Sequence, residues 1–302
     1  MNELICESLT KRYGNTKALE SVTFSVHSSG IFALIGRNGA GKTTLIRILA
    51  TELEPTSGRA SINGIDVVKQ DKKLRERIAI VPQEARTIAW MTPNQTVLSY
   101  LLWRGFSYGE AKKRAVESLS KLGLEKFADR LNRSLSGGTK RKVLAATVLA
   151  AESDVIFLDE PTTGLDPISR REFWEILRDL GRDRFIFLTT HYLEEAEQLA
   201  ANIGILKDGQ LVAAGSLASL RDRIRHQYSI KLASNVPPLS AVQGEVITGK
   251  NGQTQILTDE DEAFRISRKL SERGQRFSIN PVSLDDIFFQ LVGETIVDDQ
   301  SS

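Results

Sequence analysis

The stretch Gly36-Arg37-Asn38-Gly39-Ala40-Gly41-Lys42-Thr43 fills every position of a G-x-x-x-x-G-K-[ST] phosphate loop. Before it, Gly30-Ile31-Phe32-Ala33-Leu34-Ile35 reads as a buried strand. After it, Thr44-Leu45-Ile46-Arg47-Ile48-Leu49-Ala50 reads as a helix. A strand, a glycine-rich turn and a helix start, in that order, aim backbone N–H groups and the positive end of a helix dipole at one point. The glycines let the main chain wrap a phosphate chain with no Cβ in the way. Lys42 has the reach for β- and γ-phosphates, and Thr43 has a hydroxyl for Mg²⁺. Gly36, Arg37, Asn38, Gly39, Ala40, Gly41, Lys42, Thr43 and Thr44 are therefore the expected phosphate site, and the expected ligand is a nucleoside triphosphate.

The chain of 302 residues allows one large domain, or one domain and a small companion. Its net charge of +2 gives no whole-protein case for a nucleic-acid partner. No apolar run approaches the roughly 20 residues of a membrane span, and the start Met1-Asn2-Glu3-Leu4-Ile5-Cys6-Glu7 does not read as a signal peptide. Cys6 is the single cysteine, which excludes a disulfide framework. The scattered His27, His191 and His226 have no zinc-ligand spacing. These features fit a cytosolic protein.

Short strands dominate up to about Val67. Ser21-Val22-Thr23-Phe24-Ser25-Val26 alternates polar and apolar, and Asn63-Gly64 between apolar residues signals a hairpin. From about 86 to 135 the character is helical, with Leu98, Leu101 and Leu102 as the expected apolar face. From Asp154 to Leu206 strands and helices alternate. Val155–Leu158 and Phe185–Leu188 suit central parallel strands, and Phe173, Ile176, Leu177 and Leu180 mark a helix face between them. A boundary is expected near Gly215, giving a main domain over 1–215 and a small α+β unit over 216–302. In the second unit a loop at Pro237-Pro238, strands at 228–232, 245–248 and 253–257, helices near 261–273 and 284–292, and a short strand near Phe277 suggest a ferredoxin-like or related sheet. The tail 298–302 reads as frayed.

Val155-Ile156-Phe157-Leu158-Asp159-Glu160 is an apolar strand ending in two carboxylates. Beside a phosphate loop, Asp159 suits Mg²⁺ and Glu160 suits the general base that orients or deprotonates water. Two surface acids at a strand end would be the bland reading, and the apolar strand with an upstream phosphate loop argues against it. Leu135-Ser136-Gly137-Gly138-Thr139 precedes another helix-compatible run, so Ser136, Gly137 and Gly138 form a second anion-binding device. With one lysine-bearing loop per chain, that device is expected to serve a γ-phosphate held by another subunit.

At this point the chain resembles the ATP-binding cassette family over roughly residues 3–215. Leu135–Thr139 resembles its signature motif, and Asp159-Glu160-Pro161-Thr162-Thr163-Gly164-Leu165-Asp166 its magnesium and base motif running into the D-loop. Val81-Pro82-Gln83 resembles the Q-loop, Thr189-Thr190-His191 the switch-histidine segment, and Lys11-Arg12-Tyr13-Gly14 the A-loop. Thr139 departs from the family's commonest glutamine. The resemblance implies an α/β phosphate-loop NTPase fold: an N-terminal antiparallel β subdomain, a RecA-like core, a helical subdomain and the small C-terminal unit. It implies ATP and Mg²⁺ as ligands, with Tyr13 stacking on adenine and Gln83 sensing Mg²⁺ and the γ-phosphate. His191 would bond the γ-phosphate, and Asp166 would reach across a dimer. Each of these residues taken singly has an ordinary structural role, such as a packing aromatic or a helix cap; the set in register does not.

A soluble ribosome- or DNA-directed cassette ATPase would be expected to carry two cassettes, a coiled-coil insertion or an iron–sulfur cysteine cluster, and none is visible in the sequence. A small-molecule kinase would not need the Ser-Gly-Gly and His191 segments. The remaining expectation is the ATP-hydrolysing subunit of a transporter whose permease is a separate polypeptide, paired with a second cassette that is identical or a paralogue. It would sit on the cytoplasmic face of the membrane. The segment Thr189–Glu197 and the run Val282-Ser283-Leu284-Asp285-Asp286-Ile287-Phe288 resemble ABC-2 and daunorubicin-resistance-like exporters, which implies export. Trp90-Met91-Thr92-Pro93 and Trp103 lie in the subdomain that faces the permease in the family. Core packing is the competing reading of these residues.

Overall fold

The computed structural model describes residues 2–224, 226–232, 244–248 and 254–293. The chain divides into two compact units, Met1–Ala214 and Gly215–Ser302. In the first, β1 (Asn2–Tyr13) and β2 (Thr16–Ser28) form an antiparallel hairpin before β3 (Gly30–Ile35) enters the core. The phosphate loop then leads into α1 (Lys42–Leu49). Next, β4 (Ser57–Ile62) and β5 (Ile65–Asp66) turn back on each other through Asn63 and Gly64, whose φ values of 52° and 72° are those of a tight hairpin turn. These strands complete a sheet in the order β2-β1-β4-β5.

After α2 (Asp71–Arg75), β6 (Ile78–Val81) begins the second sheet. The chain leaves it for α3 (Pro93–Trp103), α4 (Tyr108–Lys121) and α5 (Gly137–Ala150), and returns through β7 (Val155–Asp159), α6 (Pro167–Leu180), β8 (Phe185–Thr190), α7 (Leu193–Leu199), β9 (Asn202–Lys207) and β10 (Gln210–Gly215). The strand order is β10-β9-β3-β8-β7-β6, with β9, β3, β8, β7 and β6 parallel. β7 and β8 are buried along their whole length, as continuous apolar strands covered on both faces must be.

One apolar core joins the sheets. Leu4, Cys6, Val22 and Phe24 of the antiparallel sheet meet Phe32, Phe157 and Phe187 of the parallel one, with Leu45, Ile46 and Leu49 of α1 in the same cluster. Phe32 stacks on Phe24 and Phe187 at centroid distances of 5.6 and 5.1 Å. Each such buried ring contributes roughly 1.5–3 kcal/mol from removal of apolar surface alone. This core holds the ends of β3, β6, β7 and β8 in fixed register, and the site is built from those four ends.

The helical layer is not confined to 86–135. α5 packs against both α3 and α4, because Val143, Ala145, Ala146, Val148 and Leu149 bury most of its circumference. The apolar face of α3 also differs from expectation: Val97 and Leu101 are its fully buried pair, while Leu102 faces outward. Trp90 and Trp103 are 76% and 82% exposed, so core packing does not explain them. On α6, Trp174 joins Phe173, Leu177 and Leu180 on the buried face, and Ile176 is only half-buried.

In the second unit α8 (Leu217–Arg221) precedes β11 (Tyr228–Leu232), β12 (Glu245–Thr248), β13 (Thr254–Thr258), α9 (Glu260–Glu272), β14 (Phe277–Pro281) and α10 (Leu284–Val292). The antiparallel order β12-β13-β11-β14 is that of a ferredoxin-like sheet. Ala263, Ile266 and Leu270 of α9 cover Ile230, Leu232 and Ile256. The expected Pro237-Pro238 loop and the tail 298–302 lie outside the described residues. Among the described residues no helix is long and apolar enough to cross a membrane.

Candidate functional site

The phosphate loop owes its path to close main-chain approaches. A Cβ on Gly36 would stand 2.5 Å from the carbonyl oxygen of Leu206, and one on Gly41 would stand 2.5 Å from that of Ala18. Gly41 also has φ +104°, a conformation that only glycine adopts without strain. Arg37, Asn38 and Gly39 are exposed, Ala40 is buried, and Thr43 and Thr44 open α1. The Lys42 ammonium is buried. It donates to the carbonyls of Gly36 and Arg37 at 2.8 and 3.1 Å and lies 3.3 Å from Glu160 Oε1. Burial lowers its pKa, and Glu160 and Asp159 act in the opposite sense.

Asp159 and Glu160 follow the buried run of β7. Asp159 Oδ1 accepts from Thr43 Oγ1 at 3.4 Å and from Thr189 Oγ1 at the end of β8. Burial raises its pKa despite both hydroxyls. A hydroxyl and a carboxylate are the hard oxygen donors that Mg²⁺ takes, so Thr43 and Asp159 fit this ion.

Glu160 is the centre of the arrangement. Its φ of +47° turns the chain sharply off the strand, and its N–H donates to Thr189 O at 3.1 Å. Gln83 Nε2 and Thr163 Oγ1 each donate to Oε2 at 3.2 Å, and His191 Nδ1 lies 3.1 Å from the same atom. Burial alone would raise the pKa of Glu160. The His191 bond and the Lys42 charge outweigh it and hold the carboxyl at about 2.

Lys42, Thr43, Gln83, Asp159, Glu160 and His191 thus come together from the ends of β3, β6, β7 and β8. Ser136, Gly137, Gly138 and Asp166 have other surroundings. Ser136 caps α5 and its hydroxyl is bonded to Thr139, and Gly137 is exposed. Gly138 is packed against α6: a Cβ there would lie 2.7 Å from Ser169 Oγ. Asp166 caps α6 by accepting from the N–H groups of Ile168 and Ser169, as the cap reading of this aspartate expects. Tyr13 ends β1 at the hairpin tip, half-exposed, with Lys11 Nζ 5.3 Å from its ring centroid. The start of β2, which carries Ala18, packs on the phosphate loop and brings that hairpin to it.

Sequence reasoning missed Thr163 and Thr189. Their signal was faint: two hydroxyls at the end of an apolar strand, and one in a loop already read for its glycine and aspartate. It also missed a cavity of about 350 Å³ beside the segment after β6, lined by Val81, Pro82, Arg86, Met91, Tyr100 and Trp103 among others.

The ABC transporter family model matches residues 19–163. The chain is 34% identical to the daunorubicin/doxorubicin resistance ATP-binding protein of Streptomyces peucetius, over 97% of this chain and 93% of that one. It is 32% identical to the Nod factor export ATP-binding protein I of Burkholderia orbicola (strain AU 1054), over 96% and 97%. Among solved structures, it is similar to an ATP-binding subunit of an ABC transporter, with TM-score 0.65 and 30% identity over 73% of this chain and 92% of that one. A dimeric post-hydrolysis state of the ATP-binding cassette MJ0796 bound to ADP and phosphate matches with TM-score 0.64 and 28% identity, over 71% and 98%.

Proposed function

The chain belongs to the ABC transporter family and is the ATP-binding, ATP-hydrolysing subunit of an exporter, and on that premise we propose how its residues divide the work. Gly36 to Thr44 cradle the triphosphate and Tyr13 stacks on the adenine. Thr43 and Asp159 would hold Mg²⁺, with Gln83 near them through its bond to Glu160. Bound there, the ion would supply positive charge against the negative charge that develops on the transferred phosphoryl group. Glu160 orients and deprotonates the attacking water, and His191 donates to the γ-phosphate.

The observation that carries this reading is the crowding of Lys42, Gln83, Thr163 and His191 around one carboxylate beside the phosphate loop. It also supplies a switch in basicity. While Lys42 and His191 hold Glu160 it is a weak base. Phosphates compete for the same ammonium, and as Lys42 turns to them Glu160 recovers proton affinity. The test is steady-state ATPase activity of Glu160→Gln. Retention of full activity by this variant refutes the assignment of the base.

Ser136, Gly137, Gly138 and Asp166 serve the opposite copy. The exposure of Ser136, Gly137 and Asp166 and their distance in role from the Lys42 cluster support a head-to-tail pair, as does the dimeric state of MJ0796. The export named for the relatives extends to this chain, with a separate membrane-spanning permease seated at the cavity beside Trp103. Aromatic side chains next to a concave apolar surface are the usual anchors for a partner segment. That seat puts the protein on the cytoplasmic face of the membrane. Gln83 follows Pro82 of the cavity wall and bonds Glu160, so permease movement reaches the base through one residue.

A further inference from the structure

We propose that Glu195 is a positioning residue for hydrolysis, locking the loop that follows Glu160 to the helix that follows His191. The inference rests on Glu160 being the base.

Glu195 lies on α7, in the turn after His191, and is completely buried. A glutamate is rarely buried unless its oxygens have partners. Here Oε1 accepts two hydrogen bonds, from Thr162 Oγ1 at 2.9 Å and Trp174 Nε1 at 3.0 Å, both on buried residues. Thr162 is the neighbour of Thr163, whose hydroxyl bonds Glu160 Oε2. Trp174 belongs to α6, the helix that Asp166 caps. One carboxyl oxygen therefore joins three pieces of chain: the loop carrying one donor to the base, the helix behind His191, and the helix behind Asp166.

A second tie runs parallel to it. The guanidinium of Arg170, one turn before Trp174, sits 3.8 Å above the ring of Tyr192, the residue after His191. His191 and Thr163 share the same oxygen of Glu160, so their relative placement decides whether that carboxylate points at a water or away from it. Glu195 fixes that placement from behind without touching substrate. Burial raises its pKa, and the hydroxyls of Thr190 and Thr162, the Trp174 indole and the Arg170 charge act in the opposite sense. An amide oxygen can take the place of the accepting Oε1, so Glu195→Gln separates geometry from charge.

The experiment compares kcat, KM for ATP and thermal melting of the full chain with Glu195→Gln, Glu195→Met and Thr162→Val. Glu195→Met and Thr162→Val are expected to lower kcat by about tenfold or more with KM within about twofold, and Glu195→Gln to rescue kcat to within about threefold. The losses in Glu195→Met and Thr162→Val should also be non-additive when combined. The proposal is overturned if both keep wild-type kcat, if KM rises in step with the loss, or if Glu195→Gln is as impaired as Glu195→Met. Should Glu195→Met fail to melt cooperatively, Thr162→Val decides alone, because it removes one donor at constant shape. Glu160→Gln in the same assay separates this proposal from its premise: an active Glu160→Gln refutes the base, whereas inactive Glu160→Gln with active Glu195→Met and Thr162→Val refutes only the lock.

Discussion

Lys42 Nζ lies 3.3 Å from Glu160 Oε1, both side chains nearly excluded from solvent. The group that holds phosphate and the group that activates water are thus paired with each other. Replacing either leaves a buried charge, so the two variants should fail in different ways. Lys42→Ala should lose ATP binding by several kcal/mol, since a desolvated phosphate charge loses its partner. Filter retention of a labelled ATP analogue measures this, and tight binding by the variant refutes it.

Glu160→Gln keeps the shape and removes the base. It should lower kcat by about 10²- to 10⁴-fold while ATP stays bound. If Ser136 and Gly138 face the opposite copy's Lys42, this variant with ATP and Mg²⁺ should also accumulate as a pair. Light scattering that finds only monomer excludes the identical-chain pair and leaves a paralogue as partner.

The same carboxylate should shape acid stability. Its folded pKa of about 2 lies below its ordinary 4.5. Its contribution to stability is therefore complete above pH 4.5 and is lost as the pH falls towards 2. Urea unfolding at a series of pH values should show Glu160→Gln with a flatter decline over that window than wild type. An unchanged slope would remove Glu160 from the groups that govern acid unfolding.

Trp90 and Trp103 are exposed and lie outside the buried core. Alanine at either should shift unfolding by no more than about 0.5 kcal/mol, as surface substitutions do. Co-purification with membranes from cells that make the permease should fall. Undiminished membrane recovery of the double variant counts against the cavity as the permease seat.

Much of this was legible in the sequence, for physical reasons. The phosphate loop and the β7 carboxylates are local patterns, where neighbours along the chain share one piece of chemistry. Asn63-Gly64 was equally plain, since its turn demands two positive φ angles. Thr189 was not legible, because its value comes from lying on β8 directly beside Asp159 of β7, a pairing that only the sheet register creates. The face of α3 was misjudged because Leu102 has a leucine's hydrophobicity but an outward position, and Trp174 was missed on α6 because it is buried for the sake of an indole bond to α7.

The close approaches at Gly36 and Gly41 have an evolutionary consequence. The atoms that crowd nearest them are the main-chain carbonyl oxygens of Leu206 and Ala18. Every amino acid carries that oxygen. Drift in the side chains at 206 and 18 cannot relieve the crowding, and no second-site exchange there compensates for a larger residue at 36 or 41. Descendants of this chain are free to vary what surrounds the loop, but those two glycines are fixed by the backbone itself.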